Sequence, residues 1–172
     1  IVIADIGDSL FAATDLVIRG RTEFLSPAYY TSMGFSVPAA LGALVARPQH
    51  RLVVICGDGA FQMTGQELST LLANGHCPIL IVLDNHGYGT ERYLHEGEWR
   101  YNEIHPWNYC KLLEVYGSGK AHFVETQAAY QSALDAAWAD PSQAHLIHAR
   151  LMDDDASDTL KKLAERMGER VG

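Results

Sequence analysis

The sequence predicts an α/β domain: a mostly parallel sheet with helices on both faces. Three observations carry this. Leu52 to Cys56 and Ile79 to Leu83 are continuous apolar runs, the pattern of strands buried on both faces of a parallel sheet. Helical stretches alternate with strands along the chain, and right-handed crossovers then place helices on both sides. Lastly, "DIGDS", "GDG" and "DNHGYGTE" each follow a strand. All three loops should therefore open on the carboxyl edge, where ligands bind in such sheets.

Val2 to Ala4 reads as the first strand, "DIGDS" as its loop, and Leu10 to Ile18 as a helix. Ser36 is placed to cap a helix that carries Pro38 in its first turn and runs to about Ala46. After the Leu52 strand, "GDG" hands over to a helix start. Thr64 and Glu67 have capping-box spacing, with a helix following to about Asn74. Ile79 to Leu83 is the next buried strand. Trp107 to Tyr116 is helical, Phe123 and Val124 form a short strand, and Thr126 caps a helix from Ala128 to Ala139. Leu146 to Leu151 is the last strand. Ala156 to Arg170 is the closing helix, with Asp153, Asp154 and Asp155 a solvated acidic run near its positive N-terminal end.

The 172 residues suffice for one domain with a real core, and 48% hydrophobic content excludes a disordered chain. A net charge of -8 argues against nucleic acid or an anionic membrane surface as partner, though not against a bound anion at a locally positive site. Cys56, Cys77 and Cys110 form no CxxC pair and read as reduced thiols of a cytoplasmic protein. Residues 1–172 show no signal-peptide pattern, no apolar run long enough to span a bilayer, and no repeat. The chain opens on "IVIAD", already strand-like and without an initiator Met, so it reads as a piece of a longer polypeptide or a processed subunit.

The carboxylate between two glycines poses the chemical question. Gly57 and Gly59 permit close approach of backbone to a ligand, and N–H groups at such a junction can face an anion. Asp58 would repel that anion unless a cation intervened, and Mg²⁺ accepts carboxylate and phosphate oxygens together. Asn85, 27 positions after Asp58 at the end of the next strand, offers an amide oxygen, and Gly87 a backbone carbonyl. Alone, each element is as readily a plain turn; together, each behind a buried strand, they mark a site.

This pattern resembles the diphosphate-binding motif of thiamine-diphosphate-dependent enzymes. The family form ends in two asparagines; here the first is Asp84, and His86 replaces a common Asp. "TSMGFSVPAALGAL", "GDGAFQMTGQEL", "DNHGYGTERYLH" and "YNEIHPWNYCKL" look like the C-terminal domain of 2-oxo acid decarboxylases, the group acting on pyruvate, branched-chain 2-oxo acids, phenylpyruvate or indolepyruvate. The match runs from about Asp5 to the C-terminus, so residues 1–172 are expected to be a single diphosphate-binding domain of a three-domain chain. The resemblance implies thiamine diphosphate and Mg²⁺ as cofactors. Asp58, Asn85 and the Gly87 carbonyl would hold the metal, and Gly57, Gly59 and Ala60 would meet the diphosphate, with backbone donors from Gly59 and Ala60. Met33 would wedge under the bent cofactor, flanked by Ser32, and the Thr31 carbonyl would accept from the pyrimidine amino group. Ser9, beside Asp8, lies in a cofactor-facing loop where the family often has Thr at the Asp8 position.

Glu91 matches a catalytic glutamate that handles protons; if desolvated in the crevice, its pKa should rise, which suits acid–base work. Leu10, Phe11, Thr90, Leu94, Leu163 and Met167 match pocket-lining positions, and Thr90 is smaller than the Ile or Val often found there. That favours an aromatic substrate, phenylpyruvate or indole-3-pyruvate, over pyruvate. The implied reaction is non-oxidative decarboxylation of a 2-oxo acid to an aldehyde, with the cofactor supplying the carbanion chemistry. An activating glutamate and a histidine pair belong to an N-terminal pyrimidine-binding domain, and the site forms between subunits of a homodimer or homotetramer. This chain alone should bind cofactor weakly and not turn over. His76, His95, His105, His122, His145 and His148 show no ligand spacing and read as surface or ordinary core. The rival readings are an acetolactate synthase-like carboligase and a non-catalytic cofactor-binding module. Glu91 and the "HPWNY" region favour the decarboxylase, and the lack of GxGxxG after the first strand disfavours a nucleotide-binding Rossmann domain.

Overall fold

The computed structural model describes residues 1–95 and 97–171. Strands β1 (Val2–Ala4), β2 (Phe24–Leu25), β3 (Val53–Gly57), β4 (Ile79–Asp84), β5 (Lys120–Val124) and β6 (His145–Arg150) form one sheet in the order β2-β1-β3-β4-β6-β5. All of these pairings are parallel, as apolar β3 and β4 require. The helices are α1 (Asp8–Ala13), α2 (Ser36–Ala46), α3 (Asp58–Thr64), α4 (Glu67–Ala73), α5 (Gly89–Leu94), α6 (Tyr109–Tyr116), α7 (Gln127–Ala139) and α8 (Asp158–Val171). Among the described residues none is long and apolar enough to cross a membrane.

Strand alternation divides the core. Val54 and Cys56 of β3, Leu80 and Val82 of β4 and Leu146 of β6 pack with Val37, Leu44, Leu71 and Leu113 on one face. Val53 and Ile55, Ile79 and Ile81, and Ile147 and Ala149 pack with Ala133 and Ala137 of α7 on the other. Each fully buried Leu, Ile or Val contributes about 1.5–3 kcal/mol, and β4, with Ile79, Leu80, Ile81 and Val82 all buried, gains the most from this. The chain runs from β1 to β2 on one side and returns to β3 on the other. This reversal opens a crevice beyond the carboxyl ends of β1 and β3.

Several boundaries move, each for a local reason. Helix α1 begins at Asp8 and stops at Ala13, and Leu16, Val17 and Ile18 are exposed loop residues instead of helix. Ser36 does not cap α2; it is the helix's first residue, is buried, and makes no side-chain cap hydrogen bond. Asp5, at the end of β1, does that work: its carboxylate accepts the N–H groups of Gly34 at 3.1 Å and Ser36 at 2.8 Å. Thr64 does not form a capping box. It ends α3 and donates to the Gly34 carbonyl at 2.7 Å, while α4 starts at Glu67 with no side-chain cap. Thr126 caps α7 as expected, accepting from Ala129 N–H at 3.2 Å. The acidic run precedes α8 without joining its first turn; Asp153 pairs with Arg150 at 3.0 Å. The N-terminal turn of α8 is organised by Ser157, whose hydroxyl accepts from Leu160 N–H at 3.1 Å.

Candidate functional site

A cleft of about 440 Å³ opens at the carboxyl edge of the sheet, lined from the loops after β1, β3 and β4 and covered from one side by α8. The "GDG" carboxylate enters it because β3 ends at Gly57 and α3 starts at once at Asp58. Asp58 is 1% exposed. Its Oδ1 accepts from Gly59 N–H at 2.7 Å and its Oδ2 from Gly87 N–H at 3.0 Å. The second hydrogen bond ties the β3 loop directly to the β4 loop.

The β4 loop takes an unusual path to get there. His86 has φ 58° and Gly87 φ 149°. A Cβ on Gly87 would sit 1.8 Å from the Asn102 carbonyl oxygen, so only glycine fits. Tyr88 N–H donates to that same oxygen at 2.9 Å. Asn85 lies over Gly89 so closely that a Cβ there would come within 2.4 Å of its Nδ2. Two arginines hold the loop backbone. Arg92 donates to the carbonyls of Asn85 and His86 at 2.9 Å each, and Arg150 donates to that of Asp84 at 2.8 Å.

Asp84 is the charged surprise of the loop. It is buried, and His148 Nε2 lies 2.6 Å from its Oδ2. The β4 loop joins the two carboxylates through successive N–H groups: His86 donates to Asp84 Oδ1 at 3.2 Å and Gly87 to Asp58 Oδ2 at 3.0 Å. Burial raises the Asp58 carboxyl above its usual range, and the neighbouring Asp84 adds to this against the two backbone N–H groups. For Asp84 burial acts in the same direction, but the hydrogen bonds from His148 and His86 N–H outweigh it and hold that carboxyl low. Among the described residues no cationic side chain pairs with Asp58. A buried acid pair with cationic partners on only one member is suited to a cation at the other.

The residues fit Mg²⁺. Asp58, Asn85 and Gly87 line one cleft and present a carboxylate, an amide oxygen and a carbonyl, all hard oxygen donors. Gly57 and Ala60 line it as well. Gly59 does too, but its N–H is already taken by Asp58, so it is not a free donor as expected from the sequence.

The other expected site residues divide. Ser9, Thr31, Met33, Phe11, Thr90, Glu91, Leu94 and Leu163 line the cleft, whereas Ser32, Leu10 and Met167 do not. Ser9 spends its hydroxyl on the Asp5 carbonyl at 2.9 Å. Thr31 has φ 53° and, with His86, is one of two non-glycine residues with positive φ among the described residues. Glu91 is 47% exposed on its side chain and pairs with His95 at 3.3 Å, so it is not desolvated within this domain. Asp8 does not present a free carboxylate. It accepts from Ser157 N–H at 2.8 Å and from the Ser157 hydroxyl, fastening α1 to the start of α8.

Sequence reasoning missed Tyr88, Leu151 and Asp155 on the cleft wall, and the His148–Asp84 pair behind it. The substitution of Asp84 for the family's asparagine was a signal: a buried extra charge calls for a partner. The partner's identity needed the β4–β6 register, in which Val82 lies beside His148 and Asp84 beside Arg150.

Comparison with known proteins agrees with this geometry. Residues 5–149 match the family described as thiamine pyrophosphate enzyme, C-terminal TPP binding domain. Among curated relatives, the chain is 35% identical to an indole-3-pyruvate decarboxylase of Azospirillum brasilense over 96% of its own length and 29% of the relative's. It is 37% identical to an alpha-keto-acid decarboxylase of Mycolicibacterium paratuberculosis, over 80% of this chain and 25% of that one. With an alpha-keto-acid decarboxylase of Mycobacterium bovis it shares 38% identity over 68% of this chain and 21% of the other. The chain thus spans less than a third of the length of these relatives. An all-parallel sheet with helices on both faces, a carboxyl-edge cleft and a match over residues 5–149 place the chain in the family of C-terminal thiamine-pyrophosphate-binding domains of thiamine pyrophosphate enzymes.

Proposed function

We propose that this chain is the diphosphate-binding part of a thiamine-diphosphate-dependent 2-oxo acid decarboxylase that releases an aldehyde and CO₂. The observation that carries the reading is the convergence of Asp58, Asn85, Gly87 and Glu91 on one cleft at the carboxyl ends of β1, β3 and β4. Relatives of this chain carry the names indole-3-pyruvate and alpha-keto-acid decarboxylase, which supports the same reaction class.

Bound thiamine diphosphate supplies the electron sink for loss of CO₂. The chain's own residues bind, orient and move protons. Asp58, the Asn85 amide oxygen and the Gly87 carbonyl would hold Mg²⁺, which would supply the positive charge that lets a diphosphate approach the buried carboxylate. Ala60, which lines the same cleft, would offer its backbone N–H to the diphosphate. Met33, half-exposed on the cleft wall, would support the cofactor, and the carbonyl of Thr31, which also lines the cleft, would accept from its pyrimidine amino group. Glu91 stands on the first turn of α5 and serves the proton steps at the reacting carbon. Its side chain is open in this domain, so any desolvation of it would have to come from outside residues 1–172.

Phe11, Leu94, Leu151 and Leu163 form an apolar wall beside Thr90. That wall suits an aromatic 2-oxo acid, phenylpyruvate or indole-3-pyruvate. The complete enzyme is a cytoplasmic homodimer or homotetramer in which an N-terminal pyrimidine-binding domain, of the same or another chain, completes the site. Steady-state assays of the full-length protein with Mg²⁺ and thiamine diphosphate test this on phenylpyruvate, indole-3-pyruvate and pyruvate. Aldehyde formation fastest with an aromatic substrate is expected. No turnover of any 2-oxo acid points to a non-catalytic module, and acetolactate as product points to a carboligase.

A further inference from the structure

The buried His148 sits outside the cleft, yet its neighbours lead straight to the metal-binding carboxylate. Its side chain is 8% exposed and that of Asp84 is 5% exposed, with Nε2 2.6 Å from Oδ2. An ionised carboxylate only accepts, so Nε2 carries the proton. The ring cannot turn freely. Tyr109 meets it edge-on with centroids 4.9 Å apart, and Phe123 meets it at 5.0 Å. Tyr109 in turn packs edge-on against Phe61 and accepts from Gln62 at 3.0 Å, and both of those residues belong to α3, the helix that Asp58 begins. On its other oxygen Asp84 accepts from His86 N–H at 3.2 Å and from Arg150 at 3.4 Å. The next N–H along the same loop, that of Gly87, donates to Asp58 Oδ2 at 3.0 Å, so the Asp84 carboxyl and the Asp58 carboxyl hold one stretch of backbone between them.

We propose that His148 is a positioning residue of the metal site: it fixes the Asp84 carboxyl, and through it the orientation in which Asp58 meets the cation. A histidine needed only to fill the core would have been served by any apolar residue of its volume. A partner needed only to neutralise Asp84 is already present in Arg150. What His148 adds is direction, a short hydrogen bond from a ring clamped between two aromatics. Partners behind a metal ligand typically set about 10–100-fold in metal affinity. The inference rests on the reading of Asp58 as a metal ligand.

The test is Mg²⁺ affinity in the full-length protein at fixed thiamine diphosphate, measured by calorimetry for the wild type, His148→Leu, His148→Gln and Asp58→Ala. Gln places an N–H donor near the Nε2 position, and Leu has none. The expected result is a Kd for Mg²⁺ raised about 10–100-fold in His148→Leu and restored to within about threefold of wild type in His148→Gln. Wild-type Mg²⁺ affinity in His148→Leu, even with lowered thermal stability, overturns the proposal and leaves His148 a structural residue. Should the leucine variant fail to fold, His148→Asn, whose amide stops short of Asp84, reads the same quantity with the same two outcomes. Mg²⁺ binding retained in Asp58→Ala overturns the underlying site assignment instead. Mg²⁺ binding lost in Asp58→Ala with wild-type affinity in His148→Leu overturns the positioning role alone.

Discussion

Gly87→Ala puts the loop geometry under direct strain. Gly87 has φ 149°, and the added Cβ would lie 1.8 Å from the Asn102 carbonyl oxygen and 2.7 Å from Arg92 Nη2. The nearer atom is backbone, so the loop must retreat by about 1.2 Å to reach even the 3.0 Å that real Cβ atoms observe. That movement breaks the Tyr88 N–H bond to Asn102, 2.9 Å, and the Gly87 N–H bond to Asp58, 3.0 Å. Losing two hydrogen bonds costs about 0.5–1.5 kcal/mol each, and a left-handed alanine about 1–2 kcal/mol. The sum is roughly 2–5 kcal/mol, taken from the local stability of the loop. Amide hydrogen exchange on the full-length protein reads this at Tyr88. Protection should fall by at least about 30-fold, the equivalent of 2 kcal/mol, while amides in the middle of β4 stay protected. Tyr88 protection equal to wild type would refute the clash argument and with it the placement of Gly87 against Asn102.

Glu91→Gln should cut decarboxylation by about 10²–10⁴-fold with little change in cofactor affinity, since Gln keeps size and hydrogen bonding but moves no proton; wild-type rates would return Glu91 to an ordinary helix-start carboxylate. Arg51→Met should lower the melting temperature with catalysis intact. Its guanidinium ties the start of β3 to the carbonyls of Ala137 at 2.7 Å and Cys77 and Pro141 at 3.0 Å, at the edge of the sheet opposite the cleft; an unchanged melting temperature would contradict the role. His122 Nε2 and His145 Nδ1 are 3.0 Å apart, and the pKa of each is lowered by burial first, then by Lys120 for His122 and by His122 for His145. Because the unfolded chain binds protons there more readily, stability should be full above about pH 6.5 and lost as pH falls through the lowered folded values. Denaturation midpoints between pH 8 and 5 should fall less steeply in His122→Gln than in wild type.

The sheet was readable from the chain because β3 and β4 are buried on both faces, and such strands write themselves as unbroken apolar runs. The cofactor edge was readable for a related reason: glycine and carboxylate placed directly after such a strand have few uses that do not involve a ligand. Boundaries were less legible where a side chain found a better partner far along the chain. Ser36 and Thr64 carry the letters of caps, but Asp5 and the Gly34 carbonyl, brought close only by tertiary packing, take over. The short β2 carries no signal beyond two exposed apolar residues. Pairing across strands was least legible. Asp84 and His148 are 64 residues apart, and only the insertion of β6 between β4 and β5 makes them neighbours. Asp8 does line the cleft, but its carboxylate is taken by Ser157, 149 residues away, a partner no local pattern announces.

The central claim is that Asp58 holds the cation that brings thiamine diphosphate to this cleft. Calorimetric titration of thiamine diphosphate into the full-length protein, with and without Mg²⁺, for wild type and Asp58→Ala, tests it most directly. The expected result is Mg²⁺-dependent binding in the wild type and its loss in Asp58→Ala, by at least about 100-fold in Kd, with the fold of the variant intact by circular dichroism. Mg²⁺-dependent affinity unchanged in Asp58→Ala would contradict the claim and reduce "GDG" to a turn.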